Sequence, residues 1–267
     1  MRLPWTPPCM VALALLSACA TGPLPRELAI DRSIQAVSQS SRVEFIVLHY
    51  TSAPTERSLT LLSRHRVSSH YLITDHPEPR IYQLVDENQR AWHAGASSWY
   101  GRSWLNASSI GVEIVNAGGS YAPSGETTDW AAYSDAQIEA LGLLLKDIAQ
   151  RHDIAPHNIV GHSDISPQRK VDPGPLFPWK KLAQDGLGRW YDEQLAAQHK
   201  ADFERNGLPD ASWTQEQLAR VGYEVPRSGV WDDATRNVVR AFQMHYRPFL
   251  FNGIADAETL GILKSLP

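Results

Sequence analysis

The sequence predicts an α/β fold, a single mixed β-sheet flanked by helices, with a small all-α domain behind it. Apolar runs of strand length alternate with helical periodicity from Val43 to about Lys200, which argues for strands and helices interleaved in one domain. One neighbouring pair of strands is joined through Pro77 and Pro79, residues that a central strand does not accommodate, so that pair is hairpin-like and the sheet is mixed. From Ala201 the texture changes to short helical segments punctuated by Gly222, Gly229 and Gly253, with no convincing strand.

Taken in order, Val43 to Tyr50 (VEFIVLHY) is a β-branched and aromatic run that delivers His49 at its end. Thr55 to Arg66 reads as a helix, and Tyr71 to Thr74 and Ile81 to Leu84 as the hairpin-like pair. Ile110 to Val115 is a further strand leading into a long loop, Asn116 to Trp130, rich in glycine, serine and threonine, of the kind that borders a site. Ser134 and Gln137 form a capping box that opens a helix running to His152, with Ile138, Leu141, Leu145 and Ile148 on one core-facing side. His157 to Val160 is a short last strand, followed by a polar, proline-rich stretch from Gly161 to Pro178. Trp179 to about Lys200 reads as one helix leading out of the domain.

With 267 residues, 43% hydrophobic and 20% charged, the chain buries a full core and leaves room for a second, smaller unit. The net charge of −4 and scattered lysines and arginines provide no phosphate-neutralising stripe, which argues against a nucleic-acid partner. Both cysteines, Cys9 and Cys19, lie in the first twenty residues, so the folded body has no thiol and cysteine catalysis is excluded. Residues 1–18 read as a signal peptide, since the apolar run from Met10 to Ala18 is far shorter than the roughly 20 residues that span a bilayer. Leu16-Ser17-Ala18-Cys19 resembles the bacterial lipobox, which implies lipidation of Cys19. Ala20 after it resembles the sorting pattern for the periplasmic face of the outer membrane, with the lipid anchor holding the chain to that membrane.

The candidate chemistry rests on His49 at a strand end, His162 after a glycine, and Asp172 in an Asp-Pro-Gly turn. Imidazole nitrogens and a carboxylate are suitable zinc ligands, and three of them leave a fourth position for water, the catalytic arrangement. Bound zinc lowers the pKa of water from 15.7 to roughly 7 and polarises a carbonyl. On spacing alone a histidine at a strand end is more often a surface or hydrogen-bonded residue. Glu113 likewise sits either on the solvent face of an edge strand or deliberately buried.

The segments VEFIVLHYTSAP, SSHYLITD, AWHAG, SIGVEIVN and GHSDISPQRKVDPGPLFPW, in this order, resemble the zinc-dependent N-acetylmuramoyl-L-alanine amidases, whose fold is shared with peptidoglycan recognition proteins. The resemblance spans about Val43 to Leu182 and is nearest to the lipid-anchored periplasmic branch. It implies one zinc per chain held by His49, His162 and Asp172. It makes Glu113 the catalytic acid and base, and gives Lys170 the stabilisation of the oxyanion. Tyr50, Trp92, His93 and Asn106 match positions that line the substrate groove or support the metal shell. The phage-type relatives carry a tyrosine where this chain has Ser69, with Tyr71 two positions on, which shifts the burden onto Glu113. His70 and Asp75 read as structural, and His157 and Asp164 as turn or supporting residues.

Leu218 to Tyr223, Gly229-Val230-Trp231, Ala241-Phe242-Gln243 and Gly253 to Asp256 resemble the three-helix peptidoglycan-binding domain of wall hydrolases. The expected organisation is a linker over 19–42, a catalytic domain over 43–199 and a binding domain over 200–267. The implied activity is hydrolysis of the amide between N-acetylmuramic acid, with the 1,6-anhydro form left open, and L-alanine of the stem peptide. The alternatives are a muropeptide-binding lipoprotein without catalysis, and a zinc D,D-peptidase, whose short histidine-to-aspartate ligand spacing is absent here.

Overall fold

The computed structural model describes residues 30–121 and 127–267; the signal peptide and Cys19 lie outside these. Residues 30–39 belong to a separate N-terminal unit without helix or strand, and Ser40–Pro267 form one compact unit.

Five strands make the central sheet: β1 (Phe45–Tyr50), β2 (Tyr71–Ile73), β3 (Ile81–Gln83), β6 (Ser109–Ile114) and β9 (Ile159–Gly161), in the order β3-β2-β6-β1-β9. β2, β6, β1 and β9 run parallel and β3 returns antiparallel to β2, so the sheet is mixed as expected. Two small hairpins, β4 (Ser98–Trp99) with β5 (Arg102–Ser103) and β7 (Ser120–Tyr121) with β8 (Thr127–Thr128), were not legible as strands; the second lies in the glycine-rich loop. The helices are α1 (Thr55–Arg64), α2 (Asp135–His152), α3 (His162–Ile165), α4 (Trp179–Gln184), α5 (Glu193–Asn206), α6 (Ala211–Arg220), α7 (Asp233–Tyr246) and α8 (Ala257–Ser265).

Strand alternation sorts the sheet into two faces. Ile46 and Leu48 of β1 with Ile110, Val112 and Ile114 of β6 pack under Ile138, Leu141, Leu145 and Ile148 of α2. That helix begins with the capping box read from sequence: Gln137 N–H donates to Ser134 Oγ and Ser134 N–H to Gln137 Oε1, both at 3.2 Å. On the opposite face, Phe45, Val47 and Val160 share a core with Leu218, Val221 and Phe242 of the C-terminal helices. The C-terminal helices are thus the second layer of the sandwich.

The expected helix from Trp179 to Lys200 is instead two, α4 and α5. The break falls where Gly186 (φ 75°) and Gly188 (φ 136°) take up positive-φ backbone that continues no helix. α5 packs along α8, so the position expected to divide the domains, 199/200, falls inside a helix of the C-terminal group. Asp192, Asp210, Asp232 and Asp256 cap α5 to α8, each accepting the N–H three residues on at 2.7–2.9 Å.

Candidate metal centre and active-site cleft

All the elements that carry the candidate site end at one edge of the sheet, the carboxyl ends of parallel strands where open α/β sheets place their sites. His49 is the fifth residue of β1, and its register partner on β6 is Glu113, so the two side chains leave the sheet on the same face. β9 runs directly into α3, making His162 the first residue of that helix, and Asp172 follows in the loop, where Ser163 N–H donates to its carbonyl at 2.8 Å. His49, His162 and Asp172 are buried, and one ligand atom from each lies within 4.8 Å of the others. The Nδ1 atoms of His49 and His162 are 2.9 and 3.1 Å from Asp172 Oδ2.

With a cation held at the centre of the cluster, the surrounding hydrogen bonds set the proton positions. His162 Nε2 is 3.0 Å from the carbonyl of Ala94, an acceptor only, so the proton sits on Nε2 and the Nδ1 lone pair faces Asp172. Ser109 Oγ donates to the Leu105 carbonyl at 2.7 Å and therefore accepts from His93 Nε2 at 3.2 Å. Burial, then the charge of His49, keeps His93 well below the usual histidine range and so neutral. Its unprotonated Nδ1 accepts from His49 Nε2 at 3.1 Å, which leaves the His49 Nδ1 lone pair pointing the same way as that of His162. Two imidazole lone pairs and a carboxylate oxygen converging on one point, each imidazole backed by a partner on its other nitrogen, fit a zinc ligand set.

Burial, then His162, draws His49 down to about 4. Burial alone would raise Asp172, but when the His162 and His49 rings carry their protons, the charge of His162 and the hydrogen bonds from both rings overcome it and hold its carboxyl far below the ordinary range. Glu113 is the opposite case: burial, then the charge of Asp172, pushes it well above the usual carboxyl value, with Lys170 pulling the other way. Its Oε2 is inaccessible and has no hydrogen-bond partner, the signature of a carboxyl kept ready rather than spent on structure.

These groups border a cleft of about 400 Å³. Tyr50, Trp92, His93, Glu113 and Lys170 all line it. Trp92 is half exposed, with the Arg90 guanidinium 4.2 Å over its ring, and burial, then Asp172, raises the Tyr50 hydroxyl to about 12. Asn106, expected to line the groove or support the metal shell, is buried and outside the cleft lining. Its Oδ1 accepts the N–H groups of His93 and Ala94, at 3.1 and 2.8 Å, so it shapes the backbone behind the candidate ligand cluster. Ser69 is buried and Tyr71 OH donates to Glu87 at 2.6 Å, so neither reaches the site. His70 is structural, as read: its Nδ1 accepts the Gly111 N–H at 3.0 Å. Asp75 accepts from Thr55 at the start of α1, and His157 rests against Tyr100.

Sequence reasoning missed Ser109 and Gly111 as parts of the metal shell, and Arg169, Ser58 and Leu62 as cleft walls. A Cβ on Gly111 would lie 2.5 Å from His93 Cγ, and an isolated glycine inside a strand is the available signal for such a close approach.

Fold and site geometry define an α/β protein with a candidate histidine–aspartate metal site at the carboxyl edge of a mixed sheet. Residues 39–175 match the N-acetylmuramoyl-L-alanine amidase family and residues 208–263 a putative peptidoglycan binding domain. The chain belongs to the N-acetylmuramoyl-L-alanine amidase family. It is 43% identical over 265 residues to N-acetylmuramoyl-L-alanine amidase AmiD of Escherichia coli, covering 96% of this chain and 95% of that one. The crystal structure of AmpDh3 from Pseudomonas aeruginosa with anhydromuramic pentapeptide superposes with a TM-score of 0.81 at 40% identity, over 90% of this chain and 98% of that one. Escherichia coli AmiD in complex with anhydro-N-acetylmuramic acid-L-Ala-D-γ-Glu-L-Lys superposes with a TM-score of 0.78, over 89% and 93% of the two chains.

Proposed function

We propose that the chain hydrolyses the amide between N-acetylmuramic acid and the L-alanine of the stem peptide, with one zinc ion held by His49, His162 and Asp172. The observation that carries this reading is the convergence of His49 Nδ1, His162 Nδ1 and Asp172 Oδ2 in a cleft that Glu113 also lines. Zinc, when bound, supplies Lewis-acid polarisation of the scissile carbonyl and lowers the pKa of the attacking water. Glu113, which lines the cleft, takes the proton of that water and delivers it to the departing alanine nitrogen, a transfer that suits a carboxyl raised by burial. Lys170 stabilises the negative charge that develops on the carbonyl oxygen. His93 and Ser109 hold His49 in the tautomer that presents Nδ1, while Trp92 and Tyr50 contact the substrate.

The relatives crystallised with anhydromuramic peptides support acceptance of the 1,6-anhydro sugar. The match over residues 208–263 supports wall binding by the C-terminal helices α6 to α8. Such a tether raises local substrate concentration. With the lipobox-like residues ending in Cys19, the reading is an envelope lipoprotein at the periplasmic face of the outer membrane. Among the described residues no helix is long and apolar enough to cross a membrane.

Incubating the mature chain with purified muropeptides, with and without a chelator, and weighing the products tests the reaction. Intact stem peptide should appear in the untreated sample alone. Release of D-alanine, or turnover surviving complete metal removal, would overturn the reading.

A further inference from the structure

His162 opens a helix of a single turn, and one turn is too short to hold itself together in water. What fixes it is Asp164, which is buried to 1% exposure and whose Oδ2 accepts the Gly161 N–H at 2.8 Å, capping the turn. The same carboxylate accepts two donors from the C-terminal helices. Tyr223, just after α6, donates its hydroxyl to Oδ1 at 2.7 Å, and His245 of α7 donates Nδ1–H to Oδ2 at 2.8 Å. The His245 ring is itself held in plane, stacked 3.9 Å from Trp179 on one side and 4.1 Å from Tyr246. Gly161 has no room to shift, since a Cβ there would meet Pro173 at 2.7 Å and Trp179 at 3.3 Å.

We propose that the C-terminal helical domain is a working part of the metal site: Tyr223 and His245, acting through the Asp164 carboxylate, are positioning residues for the His162 imidazole. This rests on reading His49, His162 and Asp172 as zinc ligands and goes beyond a wall-binding role for the domain. Without either donor the buried carboxylate is under-satisfied and turns toward what remains. That loosens the Gly161 cap and the direction in which His162 presents Nδ1.

The test uses the full mature chain. Tyr223→Phe removes one oxygen and keeps the ring, and His245→Ala removes the second donor; zinc affinity is measured by competition with a chromophoric chelator. Each substitution should weaken zinc binding by about tenfold. Each should also shift the visible absorption of the cobalt-substituted protein, which reports ligand geometry directly. His245→Asn, which restores a donor near the Nδ1 position, should recover most of the loss. Tyr223→Phe should add little on top of Asp164→Asn, because both act through one carboxylate. Leu260→Ala, in the core of the same domain, should lower the melting temperature and leave zinc affinity and the cobalt spectrum unchanged. Should His245→Ala fail to fold, Tyr223→Phe with its cobalt spectrum carries the test. Unchanged zinc affinity and cobalt spectrum in Tyr223→Phe and His245→Ala would overturn the proposal. A wild-type chain that binds no zinc would instead sink the metal-site reading itself.

Discussion

Gly111 is where one carbon atom should reach the metal. In β6 it stands two residues before Glu113 on the same face, directly under the His93 ring, and a Cβ there would lie 2.5–2.7 Å from three ring atoms. Carbon atoms settle at about 3.5–4.0 Å, so Gly111→Ala drives the ring back by roughly 1 Å. His93 cannot move that far and keep both its 3.1 Å bond from His49 and its 3.2 Å bond to Ser109. The backbone tolerates alanine, because Gly111 sits in ordinary strand conformation. The overpacking should cost about 1–3 kcal/mol of stability. Freed from its fixed tautomer, His49 should lose zinc affinity by about 10- to 100-fold. Thermal melts and zinc competition on the purified variant separate the two effects. Wild-type zinc affinity in a folded Gly111→Ala protein would refute the assignment of His93 as the partner that orients His49.

Three further outcomes are expected. Glu113→Gln should cut kcat by about 10²- to 10⁴-fold while the purified protein keeps its zinc, read by turnover assay and metal analysis. Arg151 first, aided by Tyr71 and His152, holds Glu87 down to about 2, against an ordinary value of 4.5. A depressed carboxyl contributes stability that is complete above 4.5 and fades as pH falls toward 2, so the wild type should lose melting temperature through that window and Glu87→Gln should lose less, in melts across the acid range. Because one core joins the sheet to the C-terminal helices, calorimetry should record a single unfolding transition. Phe242→Ala should destabilise that transition by about 3–5 kcal/mol.

Much of this architecture is written locally. The period-2 pattern of β1 and β6 places His49 and Glu113 on one face, and the Ser134–Gln137 box marks the start of α2 without reference to anything distant. The GHSDISPQRKVDPG run likewise offers His162 and Asp172 as candidate ligands through its resemblance to a family motif. The features that stayed hidden depend on partners far along the chain. Asp164 reads as a turn residue until Tyr223 and His245 arrive from 59 and 81 residues away. Asn106 resembles a groove residue until its amide oxygen is seen gripping the backbone of His93 and Ala94. The break between α4 and α5 was signalled by Gly186 and Gly188, but helical propensity on either side masked it.

The outward face of β1 and β9 also limits how such a chain can be rebuilt. Phe45, Val47 and Val160 are dry only because helices from the far end of the sequence lie over them. Cutting after the hydrolase portion would lay an oily strip open to water and invite clumping. Swapping in another wall-adhesion module would succeed only if the newcomer carried a matching apolar underside. Recombination between relatives therefore has to respect a seam that runs through the sandwich, not the point where one family match ends and the next begins.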